Sequence, residues 1–236
     1  MKIELHLHTS EVSPCGKVPA REMVRMYKEA GYSAVVVTDH LFPSLHTLAE
    51  GETAAEKAEI WLQGYRTAKE EGDRLGLTVL LGAEGRLTEY GNEDFLVYGL
   101  KETDIEWMFA MLGSVHSIAE MSKAIRERGL FLVQAHPFRP GLRAQEQGLL
   151  DGVEAFNGNP RHNSSNPLAR AMALSGGLAM VSGSDAHQPV DVGRGGLNTP
   201  DEFDTNEQLL AFLRSGALRS ETAFDSMAIV SEPIAK

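Results

Sequence analysis

Two histidines one residue apart, His6 and His8, lie in the stretch KIELHLHT, Lys2–Thr9. Strand side chains alternate between faces, so Ile3, Leu5 and Leu7 share one side and Glu4, His6 and His8 the other. Two neutral imidazoles side by side at a strand end form a preformed pair of metal ligands. The same pattern alone would also suit a half-buried strand with two surface histidines. What weighs against that plainer reading is the company they keep. Asp39 and His40, Glu84, His116, His136, and Asp185 and His187 also follow apolar runs, and six of the chain's eight histidines fall in this set.

Histidine and carboxylate donors suit Zn²⁺, Mn²⁺ or Fe²⁺, and a donor set without cysteine argues against a structural zinc knot. An ion takes about four to six donors, so this many candidates imply two or three ions. His46 and His162 sit in loops and are expected to be solvated.

Residues so far apart meet only if the fold carries them to one place. After a Gly/Pro/Ser loop, helical periodicity covers Ala20–Ala30 and ends at Gly31. Ala34–Val37 is wholly apolar, as in a strand buried on both faces of a parallel sheet. Glu52–Leu75 has Ala54, Ala58, Trp61, Tyr65 and Ala68 at helical spacing. Strands are predicted at 78–84, 95–100, 130–135, 152–156 and 178–181, with a final one near 223–230. Helices are predicted at 104–111, 118–128, 167–175 and 206–215. Met23, Met26, Met108, Met111, Trp61 and Trp107 are read as packing residues. Strands alternating with helices imply a parallel sheet, and six to eight such units imply a barrel, with a doubly wound open sheet as the runner-up. In a barrel the C-terminal strand ends converge on one rim, where active sites are built. No Gly-rich dinucleotide loop or P-loop follows any strand.

Composition narrows the partners. The chain has 236 residues, enough for one large α/β domain, with 42% hydrophobic and 23% charged residues. A formal net charge of −11 disfavours long nucleic acid and anionic membrane surfaces, although bound cations would offset part of it. Cys15 is the only cysteine, so no intrachain disulfide forms. No apolar run reaches membrane-spanning length and the first residues do not resemble a signal peptide. A soluble, cytoplasmic protein is the expectation.

HxHT at His6, TDH at Asp39–His40, Glu84, the isolated His116 and His136, and SGSDAH at Asp185–His187 closely resemble the PHP (polymerase and histidinol phosphatase) family, in the family's own order. The resemblance implies a single distorted (βα)7 TIM-like barrel over residues 1–236, with no polymerase or exonuclease partner domain. It also implies a two- or three-metal phosphoesterase site using Mn, Zn or Fe. Carried over by motif, His6, His8, Glu84 and Asp185 hold a first ion. Glu84 bridges to a second, held also by His116 and His136, and His40 and His187 serve a third. The family often has His or Asp in the loop after HxHT; here that loop is SEVSPCG, with Glu11 as the leading substitute donor and Cys15 next. A hydroxide shared by two ions would attack phosphorus in line with the leaving oxygen, with His187 or a metal-bound water protonating that oxygen. Glu84, Asp185 and His187 are therefore the catalytic candidates, with Asp39 orienting a ligand histidine.

An anionic substrate at an acidic rim needs cationic clamps, and Arg161, Arg194 and Arg139 follow predicted strands. The substrate expected is a small phosphorylated metabolite or a nucleotide, histidinol phosphate among the options. Two other classes compete. One is a metal- or phosphate-binding module without turnover. The other is an amide hydrolase on a similar barrel, which would use a modified lysine where Glu84 stands.

Overall fold

The computed structural model describes residues 1–48, 51–87 and 91–231. In chain order the elements are β1 (Lys2–Leu7), α1 (Ala20–Glu29), β2 (Ala34–Val37), the short β3 (His40–Leu41), α2 (Ala54–Leu75), β4 (Thr78–Arg86), β5 (Asp94–Tyr98), α3 (Glu102–Leu112), α4 (Ile118–Glu127), β6 (Phe131–Gln134), β7 (Gly152–Asn157), α5 (Asn166–Gly176), β8 (Ala179–Gly183), β9 (Leu197–Asn198), α6 (Asn206–Arg214) and α7 (Glu221–Met227).

These strands form one sheet in the order β8-β7-β6-β5-β4-β2-β1-β9, with β3 paired to β4. The sheet curls until its first and last long strands meet. The seam is a parallel bridge between Leu7 and Ala186. There the His8 amide donates to the Ala186 carbonyl at 2.9 Å, and the Ala186 amide to the His6 carbonyl at 3.3 Å. The buried Glu4 carboxylate fastens the seam. One oxygen accepts from the amides of Leu5, His6 and Ser184, and the other from the hydroxyls of Tyr27 and Ser184. Burial pushes this carboxyl's pKa up, against the pull of those hydrogen bonds. The result is a nearly closed, distorted α/β barrel.

Two expectations need correction. A purely parallel sheet was expected, but β5 runs antiparallel to both β4 and β6. The connection from β4 to β5 is too short for a crossover helix, so the chain turns straight back. The segment near 223–230, expected as a strand, holds α7. Ser220 caps that helix by accepting the Ala223 amide, and Glu221 places an acid in its first turn.

Burial follows the apolar pattern. Met23, Val24 and Tyr27 of α1 and Ala68 of α2 pack with Val35, Val37 and Val79 of the sheet. The larger cluster gathers residues from most of the other strands, with α3–α7 covering them. Trp61 is buried in it, and its indole N–H donates to the His40 carbonyl at 2.8 Å. That bond ties α2 to the backbone of a site residue. Among the described residues, no helix is long and apolar enough to cross a membrane.

Candidate metal centre

The C-terminal ends of the parallel strands meet at one rim. His6 lies on β1 and His8 just beyond it, His40 opens β3, Glu84 lies on β4, His136 follows β6, and Asp185 and His187 follow β8. His6 and His8 are fully buried, so the polar face of β1 points inward and not to solvent. Their Nε2 atoms lie 3.2 Å apart.

Glu84 occupies the middle. One carboxylate oxygen lies 3.3 Å from His6 Nε2 and 3.2 Å from His136 Nε2. The other lies 3.4 Å from His8 Nε2 and 2.8 Å from His40 Nδ1. Asp185 Oδ1 sits 3.5 Å from both His6 Nε2 and His8 Nε2. Four overlapping sets could each hold an ion: His6/His8/Glu84, His6/His136/Asp185, His8/His40/His187 and His40/Glu84/Asp94, the donor atoms of each set lying within 4.8 Å of one another. Nitrogen and carboxylate donors packed this closely suit borderline divalent transition ions.

Charge and burial oppose each other here. Burial alone would raise the Glu84 and Asp185 carboxyls, yet the imidazoles around them hold both well below the usual carboxylate range. His6 is raised despite its burial, because Glu154, Asp185 and Glu84 surround it. His8 is lowered by burial and by repulsion from His187 and His40. The backbone is also forced: His136 has φ 30° and Asp185 φ 50°, a left-handed conformation costing non-glycine residues about 1–3 kcal/mol. Both strained residues carry donors.

Buried partners orient the imidazoles. Glu154 on β7 accepts from His6 Nδ1 at 2.8 Å, which leaves Nε2 free to face Glu84 and Asp185. The other Glu154 oxygen accepts from the His136 amide and the Asn157 side chain. Asp39 touches no imidazole. It accepts from the Thr9 amide and from the hydroxyls of Thr9 and Ser13, and Ser13 Oγ lies 3.1 Å from His8 Nδ1. Asp39 therefore reaches His8 through Ser13, and burial lifts its pKa to about 6.

Two expected donors lie elsewhere. Both Glu11 oxygens accept the Ala20 amide at 3.0 Å, so Glu11 caps the N-terminus of α1, a helix whose Pro19 cap has no side-chain hydrogen bond to offer. His116 is exposed on the connection between α3 and α4, with its amide donated to Glu120. It follows a helix and not a strand, and it enters none of the four sets.

Asp94 was missed because β5 is reversed: its first residue, not its last, reaches the rim. Arg86 holds Asp94 with two hydrogen bonds, of 2.6 and 2.8 Å. Burial and the nearby Glu84 charge still raise the Asp94 pKa.

The mouth is a cavity of about 430 Å³ lined by cations and donors together. Arg139 and Arg161 line it, as do Lys17 and Arg86, which were not anticipated. Arg139 reaches Asp185 at 2.7 Å, and Arg161 is bound to the buried Asp191. Arg194 lies instead along a neighbouring cavity walled by α5 and α7, donating to the Gly158 carbonyl. His162 is exposed and borders both cavities; His46 is exposed and borders neither. Cys15 lines this cavity; burial pushes its thiol up, and the neighbouring His187 and His40 outweigh that and bring it down to about 6.

No curated protein matches the chain. Among solved structures, a two-domain protein from Bacteroides vulgatus, described as containing a predicted PHP-like metal-dependent phosphoesterase, superposes with a TM-score of 0.57 at 20% identity. That match covers 80% of this chain and 53% of the other, so the chain spans about half of that protein. An amidohydrolase from Chromobacterium violaceum with bound sulfate and no metal gives 0.55 at 16% identity, covering 90% and 97%. Endonuclease Q bound to a 27-mer duplex with an abasic lesion gives 0.58 at 14%, covering 91% and 56%. At such identities these likenesses speak for the fold. A PHP-associated model matches residues 163–218. The PHP domain model itself matches residues 4–155, more than half of the chain, and with that match this protein belongs to the PHP domain family.

Proposed function

We propose that this protein hydrolyses a small phosphomonoester, using two or three divalent Mn, Zn or Fe ions. The observation that carries the reading is Glu84, each of whose oxygens faces a separate pair of imidazoles. A carboxylate so placed suits a bridge between two ions. His6, His8, Glu84 and Asp185 would hold one ion; Glu84 would reach a second beside His136, and His40 and His187 would serve a third. Bound divalent ions supply Lewis acidity toward phosphoryl oxygens and lower the pKa of water.

The chain's own residues do the rest. Arg139 and Arg161 would take the outer phosphoryl oxygens, with Lys17 beside them. Four cations around about 430 Å³ favour a compact dianionic group over a long diester. The net charge of −11 also disfavours duplex DNA. Glu154 and Ser13 hold His6 and His8 in the tautomer that leaves Nε2 unprotonated. His187 hydrogen-bonds through Nδ1 to the Asp185 carbonyl at 2.8 Å, so its Nε2 is likewise a lone-pair donor. That favours His187 as a ligand over its role as proton source for the leaving oxygen. An amide hydrolase of similar barrel is disfavoured by a glutamate at the bridging position. We infer a single barrel unit for residues 1–236.

The test is a panel of phosphomonoesters, phosphodiesters and amides with Mn²⁺ supplied. Monoesters should be turned over at least about tenfold faster, a difference of about 1.4 kcal/mol in barrier. Preferred cleavage of diesters or amides, or no hydrolysis at all, would overturn the reading.

A further inference from the structure

We propose that Asp191 is a positioning residue for the substrate: its buried carboxylate holds the Arg161 guanidinium at the cavity mouth, ready to take a phosphoryl oxygen. The proposal rests on the reading of this cavity as a phosphate site and names what sets its clamp. Asp191 is fully buried and ends the single turn Pro189–Asp191. One of its oxygens, Oδ2, accepts the amides of His187 and Gln188 at 2.9 and 2.8 Å. Capping the turn needs only that oxygen. The other, Oδ1, accepts from Arg161 Nη1. Among the described residues Asp191 belongs to none of the four donor sets, so a bound ion would not compete for it. Arg139 differs, since the carboxylate it meets, Asp185, is itself a donor.

The backbone of Arg161 is fixed as well. Its amide donates to Asn159 Oδ1 at 3.0 Å, and Asn159 Nδ2 donates to the Asp185 carbonyl at 3.0 Å. The loop after β7 is thus tied to the loop after β8 through Asn159 and again through Asp191. Past the first of those ties the Arg161 side chain lines the cavity and stays 32% exposed. An unheld arginine is rich in rotamers and loses that freedom on meeting a ligand. Asp191 removes it on folding, so phosphate meets a guanidinium already in place. The guanidinium carries five N–H donors, and the bond to Asp191 engages one of its nitrogens, leaving others for an oxyanion. A contact made equally with bound substrate and transition state acts on KM more than on kcat.

The experiment is calorimetric titration of metal-loaded protein with inorganic phosphate, alongside steady-state kinetics on a phosphomonoester. Asp191→Asn keeps an oxygen for the two amides but sets an NH₂ group against Arg161, donor against donor. Phosphate Kd and substrate KM should each rise about tenfold, with kcat within about threefold and metal content unchanged. Arg161→Gln should weaken phosphate binding by a similar factor. Adding Asp191→Asn to Arg161→Gln should then change Kd by less than about twofold, because the two residues act as a unit. A carboxylate that only braced the loop would instead lower metal content or kcat, and would do so in both backgrounds. Kd and KM within about threefold of the parental values in Asp191→Asn overturn the proposal, as do losses that multiply in the double variant. Phosphate binding that responds as expected while no phosphomonoester is hydrolysed would leave the clamp standing and overturn the hydrolase reading alone. Parental protein that binds no phosphate would overturn both.

Discussion

Glu154→Gln isolates the orientation of one proposed ligand, His6. In the parental protein three donors share this carboxylate: His6 Nδ1 at 2.8 Å, the His136 amide at 2.9 Å and the Asn157 side chain at 2.9 Å. Glutamine has only one oxygen. If that oxygen stays with the His136 amide and Asn157, the new NH₂ must donate to His6 Nδ1. The proton then moves to Nε2, the atom facing Glu84 and Asp185, and His6 is lost as a ligand. If the oxygen turns to His6 instead, two buried donors confront each other at His136, at about 1–3 kcal/mol. For a protein of this size that lowers Tm by about 2–12 °C. A hydrogen bond to a charged group contributes about 1.5–3 kcal/mol, so metal affinity should fall about 10–100-fold by the first route. Disturbing the outer partner of a metal-ligating histidine has a similar cost. The assay is chelator competition for the ion, with Tm of metal-free protein alongside and the His6 tautomer followed by NMR. Affinity within about threefold of the parental value, with an unchanged tautomer, would refute the claim that Glu154 sets His6.

Glu84→Gln should leave the fold intact and lower kcat/KM by at least about 100-fold, the scale of removing a charged group from a catalytic centre. Near-normal turnover in a steady-state assay would remove Glu84 from the chemistry. Gly183→Ala should lower Tm by about 2–12 °C, from an overpacking cost of about 1–3 kcal/mol, because its Cβ would stand 2.5 Å from His6 Cβ and 3.0 Å from Glu154 Oε1. Unchanged thermal unfolding would show that this approach is not tight. Glu71 bears on acid stability. Hydrogen bonds from Arg74 and Arg25 hold its pKa at about 2, below the ordinary 4.5, so its contribution is full above pH 4.5 and is lost as pH falls toward 2. Glu71→Gln should therefore lower Tm at neutral pH and flatten the Tm-against-pH curve across that window; parallel curves would count against it.

Much of the site was legible because a parallel barrel delivers residues at a repeated place, the end of a strand. His6, His8, His40, Glu84, His136, Asp185 and His187 each follow or end an apolar run, and the structure gathers all of them. Where the chain breaks the βα repeat, the same rule misleads. It favoured His116, which follows a helix, and passed over Asp94, which begins a reversed strand. Glu11 could not be placed, because a carboxylate near a helix start serves the helix's amides as readily as a metal. Glu154 lies within a strand, where alternation alone gives it no distinction; only the position of His6 does. The final strand failed because Ser220 and Glu221 open a short helix whose apolar residues, Phe224 and Met227, are three apart.

The central claim is a multinuclear metal centre shared by His6, Glu84, His136 and Asp185. Elemental analysis of protein loaded with Mn²⁺, Zn²⁺ or Fe²⁺ and freed of excess metal tests it most directly. The account predicts about two or three ions per chain, falling in a His6→Ala, Asp185→Ala double variant. One ion or none in the parental protein, or an undiminished content in the variant, would contradict it.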